Sequence, residues 1–270
     1  MMKMKRFCLS LFVAALCMTA AAQTAVKKAS DDSLKILWIG NSYTFYNDLP
    51  AMVSKLAAEQ KIKLAPTRFL KGGEHLSGHY ANPELIKALK DGGWDYVVIQ
   101  EYSAGPAQST REVIDDTYRY AHLLDSLAHD GSPDCQVIFY MTWGHKKTNV
   151  HNKSQLDPAY PLDENYRDFQ ARLRISYIEM AYENRAWCAP VGIAWEDIRT
   201  NHPDIDLYAK DGYHPSLAGS FLAAHCFVAT ILQKPYTSKE YCDLLAPRAK
   251  ILCKAAQNAV FNNKHLLLNN

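Results

Sequence analysis

Three residues of this chain have the types and spacing for nucleophilic acyl chemistry: Ser42, Asp211 and His214. A serine hydroxyl is a weak nucleophile until a base takes its proton, and the base works best when an acid fixes its tautomer. Asp211-Gly-Tyr-His214-Pro215 puts acid and base three positions apart, so one loop can carry both. Ser42 lies far upstream in Gly40-Asn41-Ser42, directly after the apolar run at 35–39. That run has the character of a buried strand, and the Gly-Asn break leads into a helical pattern, so Ser42 falls at a strand's carboxyl end. Ligands of open α/β sheets bind at that edge, where a following helix offers backbone N–H groups to an anion. Each piece also has a local use, Asn41 or Ser42 as a helix cap and the Asp-Gly-Tyr-His-Pro run as a turn.

The elements that must position these residues alternate along the chain. Strand patterns fall at 35–39, 63–70, 94–100, 135–141 and 189–195, and helical spacing of apolar residues at 49–60, 83–90, 110–129, 164–184, 217–232 and 240–261. Strands alternating with helices predict an α/β domain with a parallel sheet covered on both faces. The strand at 135–141 delivers Trp143 and His145 to the edge expected for Ser42, Trp143 as a wall of a substrate pocket and His145 as a competing base without a nearby acid. The polar stretch 146–161 reads as a lid or substrate rim.

With Gly40-Asn41-Ser42 near one end and Asp211-x-x-His214-Pro215 near the other, the chain resembles the SGNH, or GDSL-type, hydrolases. It departs from their usual Gly-Asp-Ser at Asn41, a position outside the triad. The resemblance implies a three-layer α/β/α sandwich of flavodoxin-like type, its five-stranded parallel sheet in the order 2-1-3-4-5. It also implies a Ser42–His214–Asp211 triad that needs no cofactor. An oxyanion hole would come from the backbone N–H of Ser42, the N–H of Gly73 (with Gly72 one step away) and a carboxamide after the third strand. Gln100 stands where the family has an asparagine; the alternative is that it ties down its loop. Asn41, Tyr43 and Trp143 are the expected substrate contacts. Thr44 occupies the place of the second glycine of a G-x-S-x-G elbow, which argues against the α/β-hydrolase plan.

The first 22 residues have Lys3, Lys5 and Arg6, a short apolar core and an Ala-rich end, the pattern of a secretory signal peptide cleaved after Ala22. The apolar run is too short for a membrane span, and Leu16 before Cys17 argues against a lipoprotein site, so no stable membrane anchor is expected. The expected organisation is a signal peptide at 1–22, a flexible leader at 23–34, one catalytic domain at 35–262 and a tail at 263–270. Lys and Arg number 30 against 28 Asp and Glu, a net charge of +2, which gives no reason to expect nucleic acid as a partner. Five cysteines remain after the signal, an odd number without C-x-x-C spacing. His75 and His79 share a helical spacing but lack the H-E-x-x-H context, so no metal site is expected. His225, inside an apolar helix, reads as a core residue. The chemistry expected is hydrolysis of a small-molecule or glycan ester, foremost an O-acetylated carbohydrate, in a periplasm or outside the cell. An inactive carbohydrate-binding module on the same fold and a lipase or thioesterase are the alternatives.

Overall fold

The computed structural model describes residues 33–146 and 166–268. The expected signal peptide, nearly all of the leader and most of the polar stretch at 146–161 lie outside the described residues.

Strand β1 (Leu34–Gly40) is buried from Ile36 onward, as a strand covered on both faces must be. It is joined by β2 (Leu64–Leu70), β3 (Tyr96–Ile99), β4 (Gln136–Tyr140) and β5 (Trp187–Ala189). The sheet order is 2-1-3-4-5, every pair parallel. Ile39 stands opposite both Phe69 and Ile99, and Ile99 opposite Phe139, so the carboxyl ends of the first four strands form one edge.

Parallel neighbours need crossovers, and the helices supply them. Helix α1 (Ser42–Phe45) is a single turn, and α2 (Leu49–Glu59) follows with Asp48 as its cap. The chain then forms α3 (Leu76–Tyr80), α4 (Pro83–Asp91, capped by Asn82) and α5 (Thr110–Glu112, opened by a Ser109/Glu112 capping box). A π-helical segment, Val113–Tyr118, carries α5 into α6 (Arg119–Gly131), and α7 is Tyr166–Glu183. Right-handed crossovers put α4, α6 and α7 on one face of the sheet. On the other face α2 packs against α9 (Leu217–Leu232), and α9 against α10 (Ala246–Phe261). This is the three-layer α/β/α sandwich.

Three expected elements have different bounds. The run at 189–195 is not the fifth strand: β5 ends at Ala189, and Pro190 opens α8 (Val191–Asn201). Val191, Ala194, Trp195 and Ile198 are all buried, and their spacing is that of a helix face. The last long helix starts at Ala246 rather than 240, with Pro247 in its first turn where a missing N–H costs nothing. Past the expected domain end at 262 the chain still carries structure: α11 (Lys264–Leu267) is followed by Leu268, which bridges to Trp187 on β5.

Candidate active site

Ser42 opens α1 just past the carboxyl end of β1. The turn that presents it is built by buried amides. Asn41 caps α1, its Oδ1 accepting from Tyr43 N at 3.2 Å, while its Nδ2 donates to the Glu74 carbonyl at 3.1 Å. Gln100, the first residue past β3, accepts through Oε1 from Asn41 N at 2.9 Å and from the Thr44 hydroxyl at 2.8 Å. A Cβ on Gly40 would stand 2.6 Å from that same Oε1, so only glycine lets the Gln100 amide reach the turn.

Asp211 and His214 come from the loop before α9. Asp211 Oδ1 accepts from the N–H of Tyr213 and of His214, both at 3.0 Å, which closes the turn locally. Its Oδ2 accepts from His214 Nδ1 at 2.7 Å, and Ser42 Oγ lies 2.8 Å from His214 Nε2. With Nδ1–H donating to the carboxylate, the proton stays on Nδ1 and Nε2 is left as an acceptor for the serine hydroxyl. Burial pulls the Asp211 carboxyl pKa up, but the His214 hydrogen bond and the two backbone N–H groups outweigh it and hold it below the usual value. The three residues singled out from the sequence are therefore one hydrogen-bonded chain, serine to histidine to aspartate.

Gly73 sits in the turn after β2 with φ of +69°, the left-handed region that glycine adopts without strain. The turn is closed by Glu74 N donating to the Lys71 carbonyl at 3.2 Å. No acceptor among the described residues takes the N–H of Ser42 or of Gly73.

Other expectations need correction. Gln100 has no hydrogen left for an oxyanion: its Nε2 donates to Asn41 Oδ1 at 3.0 Å and to the Glu101 carbonyl, and the side chain is fully buried. It holds the turn instead. Asn41, Tyr43 and Trp143, expected to touch substrate, are all buried. Trp143 is sandwiched between Tyr43, with ring centroids 4.6 Å apart, and Trp195, at 3.9 Å, both nearly coplanar stacks. Its Nε1 donates to the Tyr213 carbonyl at 3.0 Å, so this core column braces the loop that carries His214.

His145 does not compete as the base. Burial, with nearby His214 adding to it, lowers its pKa to about 4, and its Nε2 has no partner among the described residues. His75 and His79 turn to different partners, His75 Nδ1 to Glu101 at 3.3 Å and His79 Nε2 to the Gly40 carbonyl at 2.9 Å. Among the described residues no group of three His, Cys, Asp or Glu side chains is placed to hold a metal ion. The five cysteines 135, 188, 226, 242 and 253 are all free.

Two positioning residues escaped the sequence reading. Tyr46 stacks flat on the His214 ring, 4.1 Å between centroids. Asn47, at φ of 52°, donates through Nδ2 to the carbonyls of Pro215 and Ser216 and to Ser220 Oγ at 2.8 Å. Its one signal in the sequence was a turn-forming Asn-Asp pair just past the serine.

No family model and no curated protein matches the chain. Solved structures do. A protein of Slackia heliotrinireducens assigned as an SGNH hydrolase is 28% identical with a TM-score of 0.58, over 74% of this chain and 100% of that one. A DUF4886 family protein from Bacteroides uniformis is 18% identical with a TM-score of 0.70, over 88% and 98% of the two chains. A variant of an acetyl xylan esterase from Geobacillus stearothermophilus is 20% identical with a TM-score of 0.52, over 76% and 97%. The architecture shared with them is a doubly wound α/β sandwich, a fold in which ligands bind at the carboxyl ends of the strands. In fold, and at 28% identity to one of them in sequence, the chain is similar to the SGNH, or GDSL-type, hydrolases.

Proposed function

We propose that the chain is an exported serine esterase that removes an acyl group, foremost acetate, from a carbohydrate. The observation that carries the reading is the unbroken relay from Ser42 Oγ through His214 to Asp211, at 2.8 and 2.7 Å. Ser42 attacks the ester carbonyl as His214 takes its proton through Nε2, and Asp211 steadies the imidazolium that results. The carbonyl electrons move onto oxygen, and the free N–H groups of Ser42 and Gly73 donate hydrogen bonds to the negative charge that forms there. Each such donor is worth about 3 kcal/mol in the transition state. His214 then hands its proton to the departing alcohol, and water repeats the sequence on the acyl-serine to release the acid.

The glycan preference draws on exposed aromatic surface on the residues that flank this relay. Phe45, which follows the serine turn and lies against Gly72, is 41% exposed, and Tyr213, beside His214, is 36% exposed. Aromatic faces of this kind suit the apolar side of a sugar ring. Export rests on the N-terminal pattern; no helix among the described residues is long and apolar enough to cross a membrane.

The test is hydrolysis of p-nitrophenyl acetate by the mature protein and by a folded Ser42→Ala variant. Turnover that falls by roughly 10⁴-fold or to background in the variant is the expected result. Equal turnover by both proteins would remove Ser42 as the nucleophile. Esters of increasing chain length then separate an acetylesterase from a lipase.

A further inference from the structure

The two oxyanion donors are not equally secure. The Ser42 N–H is fixed by the strand-to-helix turn, whereas the Gly73 N–H belongs to the irregular loop between β2 and α3 and is only as well aimed as that loop is held. The loop is tied at its start by Lys71 N donating to the Gly40 carbonyl at 3.1 Å, and in its middle by Asn41 Nδ2 on the Glu74 carbonyl at 3.1 Å. Its far end is tied by two side chains, His79 of α3, whose Nε2 meets the Gly40 carbonyl at 2.9 Å, and Glu101. Glu101, from the exit of β3, accepts the Leu76 N–H at 3.2 Å and meets His75 Nδ1 at 3.3 Å.

The Glu101 side chain is 3% exposed. A buried carboxylate is costly by several kcal/mol unless donors surround it. The donors of Glu101 among the described residues are the N–H of Leu76, the N–H of Tyr102 and the His75 ring. Two of the three belong to the glycine loop and its helix. The need of the buried charge for hydrogen bonds is thus a force that draws the loop against β3. His75 also stacks on Tyr102, ring centroids 4.5 Å apart, so the outer layer of the contact closes over the carboxylate. The Glu101 hydrogen bond raises the His75 pKa above its usual value against the opposite pull of burial, with Glu101, Glu74 and Asp116 adding charge of the same effect.

We propose that Glu101 is the positioning residue of the oxyanion hole, its buried carboxylate gathering Leu76 and His75 so that the Gly73 N–H faces the Ser42 hydroxyl. The inference rests on the serine-esterase reading of the site. Gln100 and Glu101 divide the work at the end of β3, the first holding the serine turn and the second the glycine loop.

The experiment compares wild type, Glu101→Gln and His75→Gln on p-nitrophenyl acetate and on its thionoacetate, in which sulfur replaces the carbonyl oxygen. Sulfur accepts hydrogen bonds weakly, so a well-aimed oxyanion hole favours the oxygen ester. Glu101→Gln is expected to lower kcat by about 10-fold with KM within about twofold, and to lower the oxygen-to-sulfur rate ratio with it. His75→Gln moves both the same way by about threefold, and it decides the matter if Glu101→Gln does not fold. Unchanged kcat, or a fall in rate with the ratio unchanged, overturns the proposal, because the loss is then not at the oxyanion. Should the wild type show no Ser42-dependent turnover, the esterase reading fails on its own. Amide exchange over residues 71–76 then decides: faster exchange in Glu101→Gln supports the anchoring, and identical exchange overturns it.

Discussion

Gln100 shows how a residue can be placed correctly and still do a different job. Its position after the third strand was legible in the sequence, and so was the alternative that it ties down its loop. What sequence could not supply was the direction of its amide. That direction is set by Asn41 N and the Thr44 hydroxyl, which reach Oε1 across the missing side chain of Gly40. That Ser42, His214 and Asp211 come together was legible for the converse reason: acyl chemistry demands a serine, a histidine and an acid whatever surrounds them, and Asp211 and His214 sit in one loop. The two roles for Gln100 predict different losses. As a buried brace, Gln100→Ala costs about 2–4 kcal/mol of stability in chemical denaturation, by leaving buried groups of the turn unpaired, and activity falls with it. An oxyanion donor would lose activity at nearly full stability.

At the scale of elements, the site is two turns that must meet, one after β1 and one before α9, and Asn47 fastens them together. Its amide spans from the end of α1 to the carbonyls of Pro215 and Ser216, directly after His214. The left-handed backbone at Asn47 is one that asparagine tolerates and glycine adopts freely. Asn47→Gly therefore keeps the turn while deleting the fastening. We expect kcat to fall about 10-fold with a stability loss of only about 1 kcal/mol, read from paired kinetics and thermal unfolding. A loss confined to stability would mean that the two turns find each other without it. The alternation of strands and helices was legible because the period of apolar residues switches cleanly between the two patterns, whereas the strand order was implied by the family resemblance alone. The run at 189–195 was misplaced because a short apolar stretch fits a buried strand and a buried helix equally well until its neighbours choose.

For the molecule as a whole, the sheet brings together at one edge residues far apart in sequence, and the cost of that compact core appears in its buried titratable groups. His225 is fully buried in α9, held by Tyr236 Oη at 2.6 Å on Nδ1, with its Nε2 unpartnered among the described residues. Burial lowers its pKa to about 3. Because the folded pKa lies below the unfolded value near 6.5, the neutral ring favours the fold; its contribution is complete above about pH 6.5 and is lost as pH falls through about 3. His145, lowered by burial to about 4, acts in the same direction. Asp125 in α6 acts in the other: burial raises its carboxyl pKa to about 6 despite His129 and His122, so its contribution is present at low pH and is lost as pH rises through that value. The histidine contributions should dominate the acid limb, since the shift at His225 is the larger and its ring is the more deeply buried. His225→Leu removes that titration while keeping an apolar side chain of similar size against Phe221. Urea unfolding at pH 7 and pH 4 should show the wild type losing roughly 3 kcal/mol more than the variant over that interval. An equal loss in both proteins would place the acid sensitivity elsewhere, with His145 the next group to replace.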